Sequence, residues 1–370
     1  MEFSALETEL DSRGADAFVH VGDRFDDDLG YLTRFSGPDR DYAFVYDGEA
    51  VLCAPRLFEE QAEQEFSGTV VSAAEQEATA AGERAAELVS GTVLVPQGIP
   101  HDAAVWLERA GCELESTDVV SRMRVRKTEA EIDRLRTVQE AAQVGMARAE
   151  TVLAAAGAEG DSLTWDGGAL TTERLRREAN AAMAREGVDP AGNTVIGAGE
   201  TCADLHFTGD LPIERGETVL LDLSPRGPEG YYGDLSRTFV VDSEGGWERR
   251  AYIAAERAQD AAFEALSEGA GTVASTVHEE TAAEVGAYGF RPDGSPGFIH
   301  STGHGVGMSL HEAPSLRADD ELEAGTVLTI EPGVYDPDEG GVRIEDLVVV
   351  REEGFENLTD YPRSLVPRKR

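Results

Sequence analysis

Four carboxylates stand where apolar strands should exclude them. Asp222 interrupts "VLLDL" and Glu331 follows "VLTI", while Asp234 and Glu345 open the outgoing runs "DLSRTFVV" and "EDLVVV". A buried ionised carboxylate needs a partner or a metal. One such acid alone reads as an edge-strand group facing water; four at matching places require a shared counter-charge. The chain has only 32 basic residues, and no lysine lies between Lys127 and Lys369. A dedicated cation is the better counter-charge, and hard oxygen donors with one imidazole suit Mn²⁺, Co²⁺, Fe²⁺ or Zn²⁺.

The imidazoles cluster as well. "FIHSTGHGVGMSLHEAP", residues 298–314, contains His300, His304 and His311, three of the chain's seven histidines. Gly303, Gly305 and Gly307 alternate with their neighbours there. Each interior glycine costs a helix about 1 kcal/mol relative to alanine. The alternation therefore predicts a strand or tight segment in which another group comes close to the backbone.

The elements that must position these groups are legible. Segments 215–241 and 323–350 each run Gly, Thr-Val-Leu, strand, Pro/Gly-rich turn, strand. Each carries one acid on the incoming strand and one on the outgoing strand, which implies a duplicated hairpin and internal pseudo-two-fold symmetry. Thr128 and Glu131 form a T-x-x-E capping box, and Ile132, Leu135, Val138, Ala142, Met146, Ala149 and Leu153 then recur at the helical period. Further helices are expected over 171–186, 247–268 and 272–286, the first two stopping at Gly187 and Gly269. Upstream, 42–54 reads as a hairpin turning at Asp47-Gly48, 58–66 and 76–89 as helices, and 91–98 as a strand. A domain boundary is expected near residue 126, dividing the chain into 1–126 and 127–370.

Composition narrows the function classes. With 72 acids against 32 bases the net charge is −40, a surface that repels nucleic-acid phosphate. Thirty of the bases are arginines. Excess acid with almost no lysine resembles proteins of salt-loving organisms, in which a screening length of about 3 Å at 1 M removes self-repulsion. No run of 18 apolar residues predicts a membrane span. The acidic start lacks a basic and then apolar leader, and Cys53, Cys112 and Cys202 form neither a disulfide framework nor a CxxC site. A cytoplasmic protein is expected.

The motifs "DLSPRGPEGYYGDLSRTF", "FIHSTGHGVGMSLHEAP", "TIEPGVY" and "GVRIED", in that order over about residues 127–365, resemble the pita-bread metallopeptidases. That family includes Xaa-Pro aminopeptidase, Xaa-Pro dipeptidase (prolidase), methionine aminopeptidase and the related creatinase. "YLTRFSG" and the strand pair after it resemble the N-terminal domain of the creatinase/prolidase branch. The resemblance implies an α+β chain: a smaller α/β N-terminal domain, then a pita-bread catalytic domain. It implies two divalent metal ions per chain, Mn²⁺ foremost, held by Asp222, Asp234, His304, Glu331 and Glu345, with Asp234 and Glu345 bridging.

By the same resemblance Glu331 takes the proton from a metal-bridging water, and His206, His300 and His311 contact substrate and assist catalysis. His206 departs from the family's Pro-His pair, because Leu205 replaces the proline. Arg343 is expected to contact substrate or Asp234, and Arg237 to offset the ligand acids. Ser224, where the family often has glycine, is expected to alter the hairpin without touching a ligand; His20, His101 and His278 match nothing. The implied activity is hydrolysis of peptide bonds preceding proline, by a homodimer acting on peptides with proline at the second position. A metal-dependent lyase or other hydrolase on the same scaffold, and a non-catalytic peptide-binding domain, are the alternatives.

Overall fold

A computed structural model describes residues 3–74 and 76–370. The chain divides into two compact units, Met1–Arg124 and Val125–Arg370.

Among the described residues, the first unit is built on a six-stranded sheet in the order Thr69–Val70, Ala50–Cys53, Tyr42–Tyr46, Ala17–Gly22, Thr92–Pro96, Glu113–Thr117. The three consecutive strands Ala17–Gly22, Tyr42–Tyr46 and Ala50–Cys53 pair antiparallel, and the flanking strands add in parallel. The hairpin turns at Asp47-Gly48, with Gly48 at φ 107°. The helix expected over 76–89 is confined to Ala81–Ala86. The preceding residues fold back on it instead: the Ala78 and Thr79 N–H groups donate to Glu87 and Glu83, and Gln76 pairs with the Arg84 side chain and carbonyl. Side chains thus satisfy backbone donors that a longer helix would have used.

The second unit opens on the helix Glu129–Ala155, capped reciprocally by Thr128 and Glu131. All seven periodic residues predicted for its inner face are buried. Five of them, Val138, Ala142, Met146, Ala149 and Leu153, pack in one core with Leu221, Leu223, Leu235 and Phe239 of the first hairpin. The second hairpin has its own cover, the helices Trp247–Ala265 and Ala274–Ala287, with Ala262, Val277, Leu328, Ile330 and Val348 in a common core. Gly187 and Gly269, at φ 85° and 84°, follow the helical segments as expected.

The two hairpins differ in register. In the first, Thr218–Leu223 and Leu235–Val240 form an unbroken ladder with Asp222 opposite Ser236. In the second, Val327–Ile330 pairs with Asp346–Val350 only as far as Ile330 opposite Asp346. Beyond it Gly333–Asp336 and Gly340–Arg343 form a separate two-stranded ribbon. Pro332 lies at the break and lacks an N–H for the ladder; its carbonyl accepts from the Ile344 N–H at 3.3 Å. The histidine segment adds the short strands His304–Gly305 and Glu312–Ser315 to the second hairpin's sheet.

Candidate metal centre

The sheets converge on a cleft of about 500 Å³. Asp222, Asp234, His304, Glu331 and Glu345 line it, as do His206, His300, His311 and Arg343. Asp222, Asp234 and Glu345 each offer an oxygen within 4.8 Å of the others. His304 Nε2 stands 3.5 Å from Glu331 Oε1 and 3.8 Å from Asp234 Oδ2. Its Nδ1 lies 3.1 Å from the Gly305 carbonyl. A proton on Nδ1 directed at that carbonyl would leave Nε2, the nitrogen that faces the acids, available to bind a metal.

The glycines flanking His304 make this approach possible. A Cβ on Gly303 would lie 1.9 Å from the Thr329 carbonyl oxygen, and one on Gly305 2.1 Å from that of Ala313. The close backbone approach predicted for this segment is therefore of strand on strand.

The electrostatics of the acids are those of a cation site. Burial, and then the charges of Asp222 and Glu331, push the Asp234 carboxyl well above its ordinary range. Burial followed by Asp234, Glu331 and Asp222 does the same to Glu345. Asp222 is also raised by burial, with Arg343 opposing. Burial would raise Glu331 too, but His300, His304 and Arg343 outweigh it and hold that carboxyl low. Four carboxylates that repel one another around one imidazole fit divalent cations, whose charge would reverse the repulsion.

A hydrogen-bonded frame surrounds the acids. Arg343 is buried; it donates to Asp222 Oδ2 at 2.7 Å, to Ser236 Oγ at 2.8 Å and to the Tyr335 hydroxyl at 3.2 Å. Its carboxylate partner is thus Asp222, not Asp234. Ser236 Oγ lies 2.7 Å from Glu345 Oε2 and 3.1 Å from Asp222 Oδ1, joining the two hairpins. Tyr335 reaches His300 Nε2 at 2.8 Å, while His300 Nδ1 faces the Ser301 carbonyl at 2.7 Å. Both His300 nitrogens are engaged, and burial holds its pKa below the ordinary imidazole value. The His311 ring lies tilted against that of His304, centroids 4.2 Å apart, near the rim; partial burial, and then the charge of His304, lower its pKa. His206 is exposed at the cleft edge, after the turn Gly199–Ala203.

Three expectations change. Arg237 does not offset the site acids: it is fully buried and pairs with Asp346 at 2.7 Å, its other donors holding backbone carbonyls that include that of Glu345. Ser224 does touch a site acid, donating to Asp234 Oδ1 at 2.8 Å, because the hairpin turns its hydroxyl inward. His278 is no bystander: it bonds Thr302 at 2.9 Å, and Thr302 in turn accepts the Glu331 N–H. Burial pushes the pKa of His278 down to about 4. Tyr335, Ser236 and the buried Gln139 and Gln259 carry no sequence signal of their own, since each resembles any strand or helix residue until its partner is known.

Comparison with known proteins agrees with this architecture. Residues 133–352 match metallopeptidase family M24. The chain belongs to that family. It is 35% identical over 257 residues to the Xaa-Pro dipeptidase of Pyrococcus furiosus, 67% of each chain. It is 31% identical over 255 residues to the probable dipeptidase PepE of Mycobacterium tuberculosis, 68% of this chain and 63% of that one. The chain thus spans less than two thirds of the mycobacterial relative's length. The prolidase structure from Pyrococcus furiosus superposes with a TM-score of 0.82 and 27% identity, covering 96% of this chain and 99% of that one. The fold is the two-domain, α+β pita-bread fold that the motifs implied.

Proposed function

We propose that this M24 chain is a two-metal Xaa-Pro peptidase whose ions are held by Asp222, Asp234, His304, Glu331 and Glu345. The observation that carries the reading is the convergence of three carboxylates from two hairpins, Asp234 and Glu345 buried and Asp222 half-buried, within 4.8 Å of one another and beside the His304 imidazole. When bound, two divalent ions would supply a nucleophile from water at neutral pH and polarise the scissile carbonyl. Mn²⁺ is the first ion to try, because oxygen donors dominate the set.

The chain's own residues do the rest. Glu331, facing the cleft beside His304, is the group to accept a proton from the attacking water. With both His300 nitrogens engaged, donation to the substrate carbonyl falls to His311, with His206 at the edge. Side-chain donors matter here because the nitrogen of an X–Pro bond carries no hydrogen. A peptidase gripping that N–H would gain nothing, whereas imidazoles around the carbonyl act regardless. The names of the Pyrococcus furiosus relatives, Xaa-Pro dipeptidase and prolidase, support the same substrate class.

The test is a hydrolysis panel of Xaa-Pro and matched Xaa-Ala di- and tripeptides with Mn²⁺, Co²⁺ or Zn²⁺, in molar KCl to screen the −40 charge. Xaa-Pro substrates should win by at least about tenfold in kcat/KM, a difference of about 1.4 kcal/mol in the transition state. Equal cleavage of Xaa-Ala would remove the proline assignment. No cleavage of any peptide would return the reading to a lyase or a binding domain.

A further inference from the structure

The chain uses arginine almost everywhere it needs a cation: 30 arginines and two lysines. Its buried cations follow that habit, as in Arg237–Asp346, Arg343–Asp222 and Arg124–Asp28. Lys127 is the exception. Its ammonium group, 2% exposed, lies 2.5 Å from Glu312 Oε1, whose side chain is 9% exposed, and 3.2 Å from the Val125 carbonyl. The other lysine, Lys369, is exposed near the end of the chain.

Glu312 follows His311 directly, and its strand pairs with the strand that begins at His304. Its carboxylate is tucked beneath the intervening turn. A Cβ on Gly307 would lie 2.2 Å from Glu312 Oε1, so the turn rests on this carboxylate. The Gly307 carbonyl in turn accepts from the Tyr232 N–H at 2.9 Å. Lys127 is itself anchored, its N–H donating to the Gly325 carbonyl at 3.0 Å just before the second hairpin. A compact ammonium and a planar guanidinium fork are not interchangeable against a carboxylate packed this closely on a turn.

We propose that Lys127 is a positioning residue for the metal-centre imidazoles: through Glu312 it fixes the turn that sets His304 and His311. The inference rests on the metal-ligand reading of His304, and it assigns to the Lys127–Glu312 pair a role beyond holding the unit together.

Three variants separate that role from stability: Lys127→Met, Lys127→Met with Glu312→Leu, and Lys127→Arg, each in the full chain. The readouts are Tm, Mn²⁺ affinity by calorimetry, and kcat and KM on whichever substrate the wild type cleaves. Lys127→Met should lower Tm, since it removes a buried ion pair and leaves its acid without the opposing charge; the double variant should recover it, because apolar pairs commonly replace buried ion pairs without loss. Mn²⁺ affinity and kcat of the double variant should nevertheless stay at least about tenfold below wild type, the usual range for lost support of a metal ligand. KM should hold within about twofold, because a transition-state contact is what is lost. Recovery of affinity and kcat together with Tm would overturn the proposal. Should the double variant fail to fold, Lys127→Arg decides: an unchanged affinity and kcat overturns it, and a tenfold deficit at wild-type Tm supports it. If the wild type binds Mn²⁺ but cleaves no peptide, the peptidase reading fails while the comparison of Tm and affinity still tests this inference.

Discussion

The two hairpins that bring the acids together solve the same positioning problem by different means. In the first, the ladder is continuous past Asp222, and Asp234 sits just outside its end. The helix Glu129–Ala155 supplies Gln139, fully buried, which donates to the Asp234 carbonyl at 2.7 Å and accepts from its N–H at 2.8 Å. In the second hairpin the ladder stops short of both acids. Gln259, fully buried on the helix Trp247–Ala265, donates toward the Ile330 and Ile344 carbonyls at 3.0 and 3.4 Å, one residue before Glu331 and Glu345. Sheet pairing therefore brings the carboxylates near one another, and a glutamine from the covering helix fixes the backbone where pairing ends. Peptide groups left by an interrupted ladder must find partners, and here those partners also aim the acids.

The comparison breaks most completely at the acids that face each other across the hairpins. Asp234→Asn and Glu345→Gln should each lower kcat/KM by at least about a hundredfold, about 2.7 kcal/mol of transition-state stabilisation. Stability should move the other way. Burial and mutual repulsion raise both carboxyls in the folded chain. A group whose folded pKa is raised binds protons more readily folded than unfolded, so its contribution to stability falls as pH rises above the ordinary carboxylate range. In EDTA, Asp234→Asn should therefore melt higher than wild type, and by more at pH 8 than at pH 5. A lower Tm at both pH values would mean that the carboxylates do not repel.

The glutamines allow a more graded comparison. Gln139→Leu removes both partners of the Asp234 peptide groups, leaving a buried N–H and C=O unsatisfied. Each orphaned group costs about 1–3 kcal/mol, so denaturant unfolding should show a loss of about 2–6 kcal/mol. Gln259→Leu takes a donor from the Ile330 and Ile344 carbonyls and an acceptor from Arg363, which keeps Asp260, and should cost about 1–2 kcal/mol. A larger loss at Gln259 would show that the broken ladder depends on its helix more than the continuous one does.

How much of this was legible depended on whether the signal was local. The capping box at Thr128, the periodic face from Ile132 to Leu153 and the paired acids are patterns within a few residues of chain, and the fold uses them as they read. The break at Pro332 was written in the sequence but hidden by the likeness of the two segments, which suggested one unbroken hairpin in each. Partnerships across the fold had no local trace. Arg237 and Asp346 are 109 residues apart, and Gln139 and Asp234 are 95 apart. Nothing near Arg237 says that it grips a backbone carbonyl instead of neutralising Asp222. Ser224 misled for a related reason: its type suggested an exchange for glycine, and only the turn of the strand aims its hydroxyl at Asp234.

That hydroxyl provides the finest comparison. Ser224 touches an acid of the first hairpin alone, at 2.8 Å from Asp234 Oδ1. Ser236 lies within reach of Asp222 and Glu345 and receives a hydrogen bond from Arg343, so it spans both hairpins. If the hairpins are held in register chiefly through Ser236, the two serines should not be equivalent. Ser236→Ala should lower Mn²⁺ affinity by about tenfold, since it takes one polar contact from two carboxylates and a guanidinium at once. Ser224→Ala should lower it by about threefold, about 0.7 kcal/mol, because Asp234 keeps its backbone clamp from Gln139 and loses one hydrogen bond. Calorimetric titration of the two variants measures the difference directly. Equal losses would mean that each hairpin presents its acids independently and that the Ser236 bridge contributes no more than a local contact.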